Sequence, residues 1–165
     1  MEADKLHTLG GTGVNRIMRL SRASTYAVYG MSYLASQAPG RLVPLSEIRI
    51  KWDLPEKHLA KIFNTLVRSG HLRSERGVHG GFALAKPASS ISALDIIYAV
   101  DGRGRHGECP IHPSAREDSG CCPIQKLVFE GRREMERMLG KASLAELAQP
   151  ALFRNVPSSK RRDHT

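Results

Sequence analysis

Three cysteines, Cys109, Cys121 and Cys122, fall within fourteen residues of a 165-residue chain that has no others. An odd, clustered set of thiols in one segment does not make a disulfide framework. It points to metal ligation or thiol redox chemistry. A second group of residues suited to chemistry is basic: Lys57, His58 and Lys61, then Arg73, Arg76 and His79. Cations at these spacings meet phosphates and base edges rather than turn over a substrate. The patterns expected of an enzyme are absent: there is no nucleophile–base signature, no GxxxxGK phosphate loop and no HExxH pair. The glycines at 77, 80 and 81 lie in a hairpin tip, not between a strand and a helix, so they are not a nucleotide fingerprint.

The bulk numbers agree with a polyanion partner. The formal net charge is +9 and the sequence pI about 9.9. A small, strongly basic domain usually meets nucleic acid. Aromatic residues make up only 5% of the chain, which argues against a reader of single-stranded RNA. The length predicts one domain with appendages. No apolar run is long enough to span a bilayer, and the first twenty residues lack the apolar core of a signal peptide, so a cytoplasmic location is expected.

The elements that must position these residues follow from apolar spacing. Residues 1–17 read as a flexible leader. Ala27, Met31, Leu34 and Ala35 mark one face of a helix over 21–37, ended by Ala38-Pro39-Gly40. A short helix follows, with Leu45, Ile48 and Trp52 facing inward. Asp53, Pro55 and Glu56 read as a helix start, and Leu59, Ile62, Phe63 and Leu66 form its buried stripe up to Ser69-Gly70. Residues 72–76 and 82–85 form strands joined by a glycine-rich tip. Ser92 caps a helix that runs to about Val100. Residues 101–123 are loop. Ile124, Leu127, Val128, Gly131, Met135, Met138, Leu139 and Ala142 mark one face of a long helix, and Ser143 to Glu146 is a capping box for a last short one.

Helix, short helix, helix, hairpin, helix is the layout of a winged helix-turn-helix: a mainly α fold with a small β-hairpin. In that arrangement the helix after the turn enters the major groove, and the hairpin reaches the flanking backbone or minor groove. The exposed early residues of that helix, Glu56, Lys57, His58 and Lys61, are candidates for phosphate and base-edge contacts. Arg73, Arg76 and His79 on the wing, and Arg19 before the first helix, complete the candidate set. Each of these alone is more often a solvated charge; the grouping and the net charge reverse that balance.

The segments MRLSRASTYAVYGMSYLA, VPLSEI and LPEKHLAKIFNTLVRSGHLRSERGVHGGFALAKPASSISALDIIYAVDG resemble the Rrf-two family of transcription regulators, from Met18 to about Leu147. The most specific pieces are the wing, RGVHGGFAL followed by KPASSIS, and the cysteine loop leading into CPIQKLVFE. The resemblance implies a homodimer joined through the long helix and bound to a palindromic duplex, with the arginine before the wing glycines, Arg76, entering the minor groove. The apolar stripe from Ile124 to Ala142 independently calls for a partner, the alternative being that it packs on its own domain.

The resemblance also implies an iron–sulfur cluster held by the three cysteines, with 2Fe-2S favoured over 4Fe-4S, and hence a sensor of iron, redox state or nitric oxide. The spacing departs from the family pattern. Eleven residues separate Cys109 from an adjacent pair, and neighbouring side chains point apart in most backbones. Cys122 matches the last family cysteine, Cys109 the first, and the middle one is missing or displaced to Cys121. Gln125 and Thr25 stand where branches of the family place a further ligand. His112 is the candidate substitute, with His106 and Glu108 nearby. A thiol switch without a cluster, zinc, or an inert loop remain open beside the cluster, as does a winged-helix module for protein or RNA. The expected organisation is a leader (1–17), a DNA-binding domain (18–101), a sensor loop (102–123), dimerisation and terminal helices (124–150) and a basic tail (151–165).

Overall fold

The computed structural model describes residues 20–52, 56–77, 79–103 and 125–149, and its first helix starts on a cap. The Ser21 hydroxyl accepts a hydrogen bond from the Ser24 amide at 2.9 Å and starts α1 (Arg22–Ala35). Ala27, Met31 and Leu34 recur at the helical period and are buried, as their spacing predicts. The helix ends two residues before the expected limit of Gln37, and a turn follows in which Gly40 takes a positive φ. The next helix, α2 (Leu45–Trp52), buries Ile48. Then α3 (Glu56–Arg68) buries Leu59, Ile62, Phe63 and Leu66, the full expected stripe. The expected start at Asp53 and Pro55 lies outside the described residues.

Gly70 closes α3. At φ +72° its amide donates to the Val67 carbonyl, and the His71 amide donates to the Leu66 carbonyl, each at 3.0 Å. These two bonds satisfy carbonyls that the helix end would leave bare. The chain then enters an antiparallel hairpin of β1 (Leu72–Glu75) and β2 (Gly81–Leu84), with Leu72 opposite Leu84 and Glu75 opposite Gly81. Against the expected 72–76 and 82–85, β1 stops one residue earlier and β2 is shifted one residue toward the tip, so Arg76 and Ala85 fall just outside the ladder.

The hairpin has a third partner that local patterning does not reveal. Val43, just before α2, exchanges both backbone hydrogen bonds with Phe82 at 2.9 Å. Gly81 makes this approach possible: a Cβ there would lie 2.6 Å from the Val43 carbonyl. After a short 3-10 turn (Ala88–Ser90) comes α4 (Ala93–Asp101), capped by Ser92 in a reciprocal box with Asp95. The hydrogen bonds from Ser92 hold the Asp95 carboxyl below its ordinary range. The last helices are α5 (Gln125–Lys141) and α6 (Leu144–Leu147), the latter started by the expected capping box of Ser143 and Glu146.

The described residues fall into two units. Residues 21–103 and 136–149 form one, around a core that includes Met31, Ile48, Phe63, Ile96 and Leu144. A short backbone bridge fastens the segment between α5 and α6 to it: the Ala93 amide donates to the Ala142 carbonyl and the Leu144 amide to the Ile91 carbonyl. Residues 20 and 125–135 belong to the other unit, where Phe129 is buried and carries the Arg132 guanidinium over its ring at 5.9 Å. Among the described residues no helix is long and apolar enough to cross a membrane.

Candidate nucleic-acid interface

The outer face of α3 is built by default once its inner face is buried. Leu59, Ile62, Phe63 and Leu66 fix the rotation of the helix, and Glu56, Lys57, His58 and Lys61 are left exposed. Glu56 is engaged from α2, where Arg49 Nε approaches its carboxylate at 3.7 Å. The other three carry no ion pair or side-chain hydrogen bond among the described residues. Thr65 is different: its hydroxyl donates to the Lys61 carbonyl and receives Arg68.

Phe63 locks the helix to the wing. Its ring meets that of Phe82 edge-on, with centroids 5.1 Å apart and planes at 84°. The same ring lies so close to α1 that a Cβ on Gly30 would sit 2.6 Å from it. Helix, hairpin and α1 thus share one packed contact, which joins the face carrying the exposed cations of α3 to the wing. The turn between them is stiffened by Ser69, whose hydroxyl donates to the Leu66 carbonyl and lies 2.9 Å from His71 Nδ1. Burial and the nearby Lys86 keep the His71 imidazole below its ordinary range.

The structure separates the two wing arginines. Arg73 donates to the Glu75 carboxylate at 2.7 Å and to the Gly40 carbonyl at 3.1 Å. It ties the wing to the turn after α1. Arg76, one residue past β1 at the hairpin tip, is exposed and has no such partner among the described residues, and His79 is likewise exposed. Arg19, Cys109, Cys121, Cys122 and His112 lie outside the described residues.

Two polar junctions brace this reading head. In one, the Tyr33 hydroxyl donates to Glu47 at 2.7 Å and Arg41 grips the same carboxylate at 3.1 and 3.0 Å, joining α1 to α2. Holding that hydrogen bond raises the Tyr33 phenol above its ordinary range. In the other, both oxygens of Asp101 accept serine hydroxyls from the start of α1, Ser21 at 2.7 Å and Ser24 at 2.7 Å. A carboxylate at the C-terminal end of α4 is unfavourable for that helix, but here it faces the positive end of α1.

Sequence reasoning did not single out Arg22. It is exposed in the first turn of α1 and shares a cleft with His58 and Lys61. Its only sequence signal is its position directly after the capping serine.

Comparison with known proteins fits this architecture. The family described as Rrf2, iron-dependent transcriptional regulator, matches residues 20–150. Among solved structures, CymR (YrzC), the global cysteine regulator of B. subtilis, superposes with a TM-score of 0.67 over 79% of this chain and 96% of its own. At 23% identity it attests to the fold alone. The oxidized form of Staphylococcus aureus CymR is 27% identical, with a TM-score of 0.63 over 80% of this chain and 97% of that one. T. potens IscR is 26% identical, with a TM-score of 0.63 over 84% and 94%. The expected mainly helical fold with a small hairpin is the one observed, and the family is one of regulators rather than enzymes. With the matched region covering most of its length, the chain belongs to the Rrf2 family of DNA-binding transcription regulators.

Proposed function

We propose that this chain is a dimeric, sequence-specific regulator that lays α3 in the major groove of a palindromic duplex and places Arg76 at the adjoining minor groove. The observation that carries the reading is the unclaimed charge on one packed unit. Lys57, His58 and Lys61 are exposed on α3, and Arg76 and His79 on the wing that the Phe63–Phe82 contact locks to it. Glycines at the tip let the backbone approach the duplex, and an arginine suits a narrow minor groove. Residues 18–101 form the reading domain in this scheme, with Arg19 as a further contact. Residues 124–150 carry the dimer and terminal helices, 102–123 the sensor loop, and 1–17 and 151–165 a leader and a basic tail. A regulator of this kind works in the cytoplasm.

The sensing residues are Cys109, Cys121 and Cys122, with His112 as the candidate further ligand. Thiolates are the usual ligands of a 2Fe-2S cluster, and Cys109, one or both of Cys121 and Cys122 and a non-cysteine ligand would hold it. Among the described residues no group of three or more His, Cys, Asp or Glu side chains gathers to hold a metal. When bound, a cluster would supply a centre responsive to iron, oxygen or nitric oxide. The protein's own contribution is the route from loop to reading head: Gly102 opens the loop, and the preceding Asp101 is fastened to Ser21 and Ser24 of α1. A thiol switch is the second reading. The adjacency of Cys121 and Cys122 favours it, and S. aureus CymR is a relative solved in an oxidized form.

The test is duplex binding at moderate salt, where nonspecific contacts weaken. The protein should prefer a palindromic operator over random duplex, and Arg76→Ala should weaken that binding without lowering thermal stability. Equal affinity for every duplex would sink the reading. Iron, zinc and acid-labile sulfide on anaerobically purified protein decide the loop: matching iron and sulfide with visible colour support the cluster, and a colourless protein after reconstitution moves sensing to the thiols.

A further inference from the structure

A cleft of about 430 Å³ opens between the first turn of α1, the outer face of α3 and the end of α4. Its rim is cationic, formed by Arg22, His58 and Lys61, and its floor is apolar, formed by Ile62 and Val100 beside the ring of Tyr26. Among the described residues no carboxylate lines it. The nearest acidic group along the chain, Asp101, spends both oxygens on Ser21 and Ser24. Arg22, His58 and Lys61 have no counter-ion among the described residues, so three cationic or protonatable groups face one hollow without compensation. A cleft this size, apolar below and charged at one edge, has the form of a small-molecule site.

We propose that this cleft binds a small organic anion with an apolar body, and that its occupant competes with DNA. The apolar part lies on Ile62, Val100 and the Tyr26 ring. The acid group meets Arg22 and Lys61 through charge-assisted hydrogen bonds. The competition follows from shared residues and rests on the DNA-binding reading above: His58 and Lys61 cannot serve an anion in the cleft and a duplex on α3 at once. The regulator would then answer to a second signal, independent of the cysteine loop.

The probe is anilinonaphthalene sulfonate, a fluorescent acid with an aromatic body, titrated into the full-length protein with and without operator duplex. Saturable binding at one site per chain is expected, with displacement of the probe by duplex. Arg22→Ala and Lys61→Ala should each weaken the probe by roughly tenfold, and Arg22→Lys should restore most of it. Arg68→Ala removes an exposed cation from the same helix outside the cleft and should leave probe affinity unchanged. Far-ultraviolet circular dichroism verifies that each variant is folded. If Arg22→Ala and Lys61→Ala weaken duplex binding but not probe binding, those cations serve the DNA backbone only and the proposal is overturned. Equal loss in Arg68→Ala would also overturn it, as general charge attraction. Probe binding that follows the cleft variants in a protein with no duplex preference would uphold the cleft and sink the DNA reading instead.

Discussion

At the wing, Arg73 donates to the Glu75 carboxylate and to the Gly40 carbonyl, while Arg76 three residues later has neither kind of partner among the described residues. The two arginines look alike in sequence, each close to the tip glycines. What separates them is a contact to a backbone carbonyl 33 residues earlier in the chain, which no local pattern encodes. Their substitutions should therefore divide. Arg73→Ala removes a tether between the wing and the turn after α1, and should lower stability by about 1 kcal/mol. Its side chain is 46% exposed, so the Glu75 ion pair contributes little to that loss. Paired thermal melts and operator titrations read both effects. Arg73→Ala should move the melt more than the affinity, and Arg76→Ala the reverse. If Arg76→Ala destabilises as much as Arg73→Ala, the tip arginine has a structural role and leaves the interface.

At the scale of elements, burial periodicity was the readable part. The spacing of Leu59, Ile62, Phe63 and Leu66 fixed both the existence and the rotation of α3, and that rotation exposes Lys57, His58 and Lys61. Ser92 and Ser143 announced helix starts because capping chemistry is local. The joints between elements were not readable. Val43 meets Phe82 as a single bridging residue, too short for any strand pattern, and Gly81 tells of a close approach without naming its partner. The junction of Asp101 with Ser21 and Ser24 spans most of the reading domain in sequence. It yields a prediction at this scale. Ser24 is fully buried, so Asp101→Ala leaves its hydroxyl without the acceptor, at a cost of about 1–3 kcal/mol. Asp101→Asn keeps one acceptor oxygen and should recover part of that loss. A melt unchanged in Asp101→Ala would show that the junction does not hold α4 to α1. It would also remove the route proposed from the cysteine loop to the reading head.

For the whole molecule, the issue is what a +9 chain with a half-clothed α5 does as an assembly. Leu127 is 67% exposed and Met138 is 60% exposed, two of the few large apolar side chains left in solvent among the described residues. Large apolar side chains left exposed on α5 are a reason to pair. In the proposed scheme a dimer would bring two copies of α3 to one palindrome, and two linked half-site contacts act at high effective concentration. Replacing Leu127 and Met138 together by Glu should convert a sedimenting dimer into a monomer, with the circular dichroism of the parent. Affinity for the full palindrome should fall by at least roughly tenfold, while binding to an isolated half-site stays nearly unchanged, because avidity is lost and the reading head is not. A double variant that remains dimeric would place the interface elsewhere on the chain. A variant that turns monomeric yet keeps full palindrome affinity would show that each copy binds alone, and the operator symmetry would have no counterpart in the protein.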